Sequence, residues 1–131
     1  MIVLDASVVV DYLLDIEGQA AVFSETMQKE TLSVPYLLDV EVAQVIRRFV
    51  ARREISATRG LAAIQDLADF PAVRYDHRPF LPRVFCWRDN LTAYDAIYLA
   101  LAEQLDATLW TRDYGLASFA KRVGIVCRFE V

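Results

Sequence analysis

Histidine occurs once in this chain of 131 residues, cysteine twice, and lysine twice against twelve arginines. Cys86 and Cys127 lack the CxxC spacing of a zinc or redox site and read as reduced packing residues, because a buried free thiol behaves as a small hydrophobe. The lone His77 lies beside a Pro-flanked segment and no serine sits in a GxSxG elbow, which argues against a Ser-His-Asp hydrolase. Hydrophobic residues make up 56% of the chain, yet no stretch approaches the ~18 consecutive apolar residues of a membrane span. An apolar strand beginning at residue 2 leaves no room for a signal peptide, so a soluble, cytoplasmic protein is expected. A net charge of −4 argues against non-specific adhesion to nucleic acid.

What is present is an alternation of short apolar runs with longer periodic ones. Strands are predicted over 2–4, 31–34, 72–75, 108–111 and 125–129. Helices are predicted over 7–14, 19–28, 37–53, from an N-cap at Ser56 to 68, and over 79–87, 92–105 and 116–123. The helix over 92–105 is apolar nearly all round and therefore buried. No repeat, low-complexity segment or linker divides the chain, and its length suits one domain over 1–131. Strands alternating with helices predict an α/β fold in three α/β/α layers, with a central parallel sheet of about five short strands.

In such a sheet, strand ends and helix starts share one edge, the edge where ligands bind. Four acids fall there. Asp5 ends the first strand, Glu41 lies in the early turns of the helix after the second, Asp95 opens the buried helix, and Asp113 follows the fourth strand. Each has an ordinary reading as well. Asp5 and Asp113 could simply cap helices or turns, and Thr92 with Asp95 resembles a capping box. Glu41 is harder to dismiss, because Leu38 and Val45 place it on the border of the apolar stripe. Four converging carboxylates would raise each other's pKa and oppose folding unless cations compensated them. A hard divalent ion that takes oxygen ligands is the natural counter-ion.

Ile2-Val3-Leu4-Asp5-Ala6-Ser7, the Glu41 helix in Leu37-Leu38-Asp39-Val40-Glu41-Val42, the run from Leu91 to Glu103 around Tyr94-Asp95, and Thr111-Arg112-Asp113 resemble the motifs of the PIN-domain ribonucleases. Among these the chain is most similar to the VapC toxins of bacterial toxin–antitoxin pairs, in motif order, spacing and length. The resemblance implies a PIN-like fold and an endoribonuclease that uses Mg²⁺ or Mn²⁺ held by Asp5, Glu41, Asp95 and Asp113. A metal-activated water would hydrolyse the phosphodiester and leave 5′-phosphate and 3′-hydroxyl ends. It also implies a homodimer, a VapB-like antitoxin that silences the active-site groove, and a transfer or ribosomal RNA loop as substrate. Some relatives carry a further acid after the fourth motif; Leu116 and Ala117 stand there in this chain.

Position suggests supporting roles. Ser7 and Thr111 lie two residues from Asp5 and Asp113, close enough to orient a carboxylate. Asp39 and Glu41 point about 160° apart on a helix, so they should not face one metal together. Arg48 and Arg52 share a helical meridian with Glu41 and suggest a phosphate track, or else a solvated helix end. Arg74, His77, Arg78, Arg83 and Arg88, interleaved with Tyr75, Phe80, Phe85 and Trp87, suggest either stacked bases or a core or dimer face. Two other functions compete. An aspartyl phosphotransferase would need a second acid where Ser7 stands and a lysine for which there is no candidate. A catalytically silent module of the same fold, working by dimerisation or partner binding, is the remaining alternative.

Overall fold

The computed structural model describes residues 1–129. Its strands are β1 (Ile2–Leu4), β2 (Leu32–Pro35), β3 (Val73–Tyr75), β4 (Thr108–Thr111) and β5 (Cys127–Phe129). Its helices are α1 (Ala6–Leu14), α2 (Gln19–Lys29), α3 (Leu37–Ala51), α4 (Ala57–Ala68), α5 (Leu81–Cys86), α6 (Ala93–Leu105) and α7 (Tyr114–Arg122). All strand pairs are parallel, in the order β3-β2-β1-β4-β5. The expected α/β/α fold with a five-stranded parallel sheet is therefore the fold observed.

The order shows how the layers arise. Two successive crossovers, through α1–α2 and α3–α4, build the sheet outward from β1 to β3. The chain then returns through α5–α6 to the other side of β1 and adds β4, and α7 leads to β5. Crossovers of one hand place helices α1–α4 on one face and α5–α7 on the other. Side-chain packing agrees. Tyr12, Phe23, Phe70 and Trp110 form one aromatic cluster beneath α1, α2 and α4, while Trp87 meets Phe119 edge-on between α5 and α7. The strand order reverses between β1 and β4, the switch point at which a parallel sheet opens a crevice at its carboxyl edge.

Apolar content explains why β1 lies at the centre. Ile2, Val3 and Leu4 are all buried, as a strand covered on both faces requires. In α6 the seven residues from Ala96 to Ala102 are all buried, so that helix packs on every side as its composition predicts. Gly60 lets α4 close on α3, because a Cβ there would lie 2.7 Å from Val50 Cγ2.

Several boundaries differ from the sequence pattern by one or two residues, α3 for example ending at Ala51 and not at 53. The helix expected over 79–87 is a 3-10 turn at Arg78–Phe80 followed by α5, since Pro79 and Pro82 each remove a helical N–H. The last helix starts at Tyr114, two residues early, because Asp113 Oδ1 accepts from Leu116 N–H and caps it. The fifth strand is limited to its last three expected residues. Among the described residues no helix is long and apolar enough to cross a membrane.

Candidate active site

The carboxyl edge at the switch point is built from the ends of β1 and β4. Asp5 N–H donates to the Trp110 carbonyl and continues the ladder for one residue beyond β1. The chain then turns into α1, and Asp5 caps that helix: its Oδ1 accepts from Ala6 N–H at 2.7 Å. Its Oδ2 accepts from the Thr111 hydroxyl at 2.6 Å and the Ser7 hydroxyl at 3.1 Å. Asp5 is thus both a cap and a fixed carboxylate, only 6% exposed. Thr111, fully buried, also accepts from Asp113 N–H at 2.9 Å. One hydroxyl therefore sets two of the four acids. Ser7 contacts the carboxylate two residues before it, as its spacing suggested, whereas Thr111 donates to Asp5 across the fold and touches only the backbone of Asp113.

Glu41 and Asp95 reach the same edge from opposite layers. Glu41 stands one turn into α3 and accepts from the Tyr98 hydroxyl of α6 at 2.8 Å. Asp95 is in the first turn of α6, where its N–H donates to Thr92 Oγ1 at 3.2 Å. The capping reading of Thr92 is correct, and it leaves Asp95 facing the other acids.

Their mutual influence shows in their protonation. Burial pushes Glu41 up to about 7, repulsion from Asp5 and Asp95 adds to this, and the Tyr98 hydrogen bond opposes it. Burial raises Asp95 to about 6, with repulsion from Asp113 and Asp5 behind it and Thr92 opposing. Asp5 is raised by burial against three hydrogen bonds, with Asp113 adding repulsion. Burial, and then the charge of Glu41, raises the Tyr98 phenol, which stays a proton donor throughout the neutral range. Among the described residues no arginine or lysine forms an ion pair with any of the four acids.

Such a set attracts hard cations. Among the described residues no three acid, imidazole or thiol groups close tightly enough to hold an ion unaided. A cation that keeps part of its water shell needs less: Mg²⁺ is commonly held by one or two carboxylates with waters and substrate phosphates. An all-oxygen, uncompensated, partly buried donor set fits that ion.

Three further residues went unnoticed in the sequence. Tyr98 lies three residues after Asp95, on the same helical face, and that spacing was the available signal. Asp11, 6% exposed, accepts from the Arg112 guanidinium, and Arg112 N–H donates to Ser7 Oγ at 3.1 Å. The signal for Asp11 was a single acid inside the apolar run Val8 to Leu14.

The basic residues divide. The side chains of Arg48 and Arg52 are exposed and make no hydrogen bond or ion pair among the described residues, but they lie down α3 from Glu41 by about 10 and 16 Å at 1.5 Å per residue. Arg74 is not free for a nucleic acid. It forks onto both oxygens of Asp39 at 2.8 and 3.0 Å and donates to the carbonyls of Leu67, Phe70 and Ala72. This also turns Asp39 away from the site. Arg78 pairs with Asp76 and Arg83 with Glu103, Arg83 lies over Trp87, and Trp87 is core. Most of that second group is therefore structural.

Residues 2–122 match the family model of the PIN domain. The chain is 42% identical to Ribonuclease VapC1 of Mycobacterium tuberculosis over 98% of its own length and 96% of the relative's. VapBC2 from Rickettsia felis, solved bound to a DNA fragment from its promoter, has a similar fold, with a TM-score of 0.72 at 12% identity over the whole of both chains. FitAcB from Neisseria gonorrhoeae superposes with a TM-score of 0.66 at 17% identity, covering 99% of this chain and 97% of that one.

Proposed function

Because the chain belongs to the PIN-domain family and within it to the VapC ribonucleases, we propose that it is a divalent-metal-dependent endoribonuclease toxin, held inactive by a VapB-like antitoxin and acting as a homodimer. The observation that carries this reading is the gathering of Asp5, Glu41, Asp95 and Asp113 at the switch point, with no arginine or lysine paired to them among the described residues. The antitoxin partner rests on the likeness to VapBC2 and FitAcB.

Mg²⁺ or Mn²⁺ bound among these acids would supply activation of the attacking water and charge stabilisation on the phosphoryl and leaving oxygens. The protein does the positioning. Thr111, Ser7 and Ala6 N–H hold Asp5 with both oxygens engaged, and Tyr98 holds Glu41 from the facing layer. Thr92 starts α6 so that Asp95 projects to the same edge, and Thr111 fixes the backbone of Asp113. Attack by water with cleavage of the P–O3′ bond leaves a 5′-phosphate and a 3′-hydroxyl, and the ribose 2′-OH takes no part. Arg48 and Arg52 offer phosphate contacts for RNA extending along α3.

The test is cleavage of total bacterial RNA by the wild type and Asp95→Asn, with Mg²⁺ or Mn²⁺ and with excess chelator, followed by sequencing of new 5′ ends. Discrete, metal-dependent cuts by the wild type alone are expected. Equal cutting by both proteins would refute the assignment. No cutting by a folded wild type would favour the silent partner-binding module.

A further inference from the structure

Six tyrosines are present, and they fall into two sets. Tyr98 is fully buried, and Tyr12 and Tyr75 pack against the core. Tyr36, Tyr94 and Tyr114 are 55%, 61% and 74% exposed. All three exposed residues neighbour the acid edge through the elements that carry them. Tyr36 is the first residue after β2, its backbone fixed by a 2.9 Å bond from its N–H to the Tyr75 carbonyl. Tyr94 immediately precedes Asp95, and Tyr114 immediately follows Asp113 and meets Phe129 edge-on. Among the described residues none of the three phenols makes a hydrogen bond, so neither the core nor an internal polar network accounts for their placement.

Charge accounts for what such rings could do. An RNA backbone entering this edge meets four carboxylates, and Arg112, the cation in the β4–α7 turn beside them, is already paired with Asp11. Apart from a bound metal ion, the protein's own cations are therefore a poor source of affinity beside the cleavage point. Base–aromatic stacking needs no charge and tolerates any base, but it requires bases freed from pairing.

We infer that Tyr36, Tyr94 and Tyr114 form a stacking platform that positions unpaired bases flanking the scissile phosphate. This rests on the nuclease reading above and adds residues that would position the substrate. The three are positioning residues acting through the bases, and the acids do the chemistry.

The experiment measures binding of a fluorescent random-sequence single-stranded RNA, and of a duplex of equal length, to the full chain carrying Asp95→Asn. To this background Tyr36, Tyr94 and Tyr114 are each changed to Ala and to Phe. Each Ala change should raise Kd for single-stranded RNA roughly ten-fold without altering the salt dependence. Each Phe change should bind within about two-fold of the parent, and weak duplex binding should not move. In the active background, KM should rise more than kcat falls. Thermal melting confirms folding, which these exposed side chains should barely affect.

Unchanged single-stranded binding in the Ala variants would overturn the platform, as would Phe losing as much as Ala. Loss confined to binding of the antitoxin would overturn it too, and would assign the rings to a protein partner. The nuclease reading is judged separately, by wild-type cutting against Asp95→Asn, so the platform can fail while that reading stands.

Discussion

The Tyr98 hydroxyl donates to Glu41 across 2.8 Å, joining helices from opposite faces of the sheet at the point where the acids meet. This bond favours the Glu41 carboxylate against burial and two neighbouring charges. Tyr98→Phe keeps the ring and removes the donor, so Glu41 should titrate above about 7. The acidic limb of the pH–rate profile should move upward with it, while the melting temperature changes little, in line with about 1 kcal/mol for one hydrogen bond.

Glu41 and Asp95 titrate at about 7 and about 6 in the folded chain, against 4.5 and 3.8 as ordinary carboxylates. Between those values the folded protein holds more protons than the unfolded one. The stability they contribute is present below the unfolded values and is lost as pH rises through the folded ones. Metal-free protein should thus lose melting temperature from about pH 4 to about pH 7, relative to Glu41→Gln/Asp95→Asn, which lacks both groups. Added Mg²⁺ should recover the loss at neutral pH for the wild type only. Scanning fluorimetry at fixed ionic strength measures both effects.

Thr111→Val is nearly isosteric and removes one donor and one acceptor together. Asp5 loses its shortest hydrogen bond and Asp113 N–H loses its partner. Cleavage should fall by roughly 10- to 100-fold, the usual cost of losing a group that orients a ligand. Stability should fall by about 1–3 kcal/mol for the stranded groups. Single-turnover kinetics and urea unfolding separate the two.

Arg112→Ala strands Asp11, which is buried on the side of α1. Loss of a partner from a fully buried pair costs about 3–5 kcal/mol, and the part-exposed Arg112 side chain lowers the expected cost here to roughly 1–3 kcal/mol. Adding Asp11→Asn should restore most of it, because the unpaired charge is then gone. Denaturant midpoints for the two single variants and the double variant decide the matter.

The sequence revealed what depends on local pattern. The unbroken apolar run before Asp5, the spacing that borders Glu41 with Leu38 and Val45, and the strand–helix alternation were enough for the sheet and for the edge where four acids should meet. Contacts made across the fold were out of reach. Tyr98 looked like one more apolar position of a buried helix, since nothing local distinguishes a phenol that packs from one that also donates. Arg74 was left open between an RNA contact and a structural role because its partner Asp39 lies 35 residues away. The start of α7 was misplaced by two residues because Asp113 serves as a cap as well as a site residue, and periodicity begins only after a cap.

The hydrogen bond from Thr111 to Asp5 spans 106 residues. During synthesis the first acid emerges long before the strand that orients it, and any chain stopped short of β4 lacks both Thr111 and Asp113. Non-local pairing of this kind is also slow to form. The cluster therefore comes together only when most of the polypeptide has left the ribosome. For a chain of the VapC ribonuclease family, chain order is itself a delay.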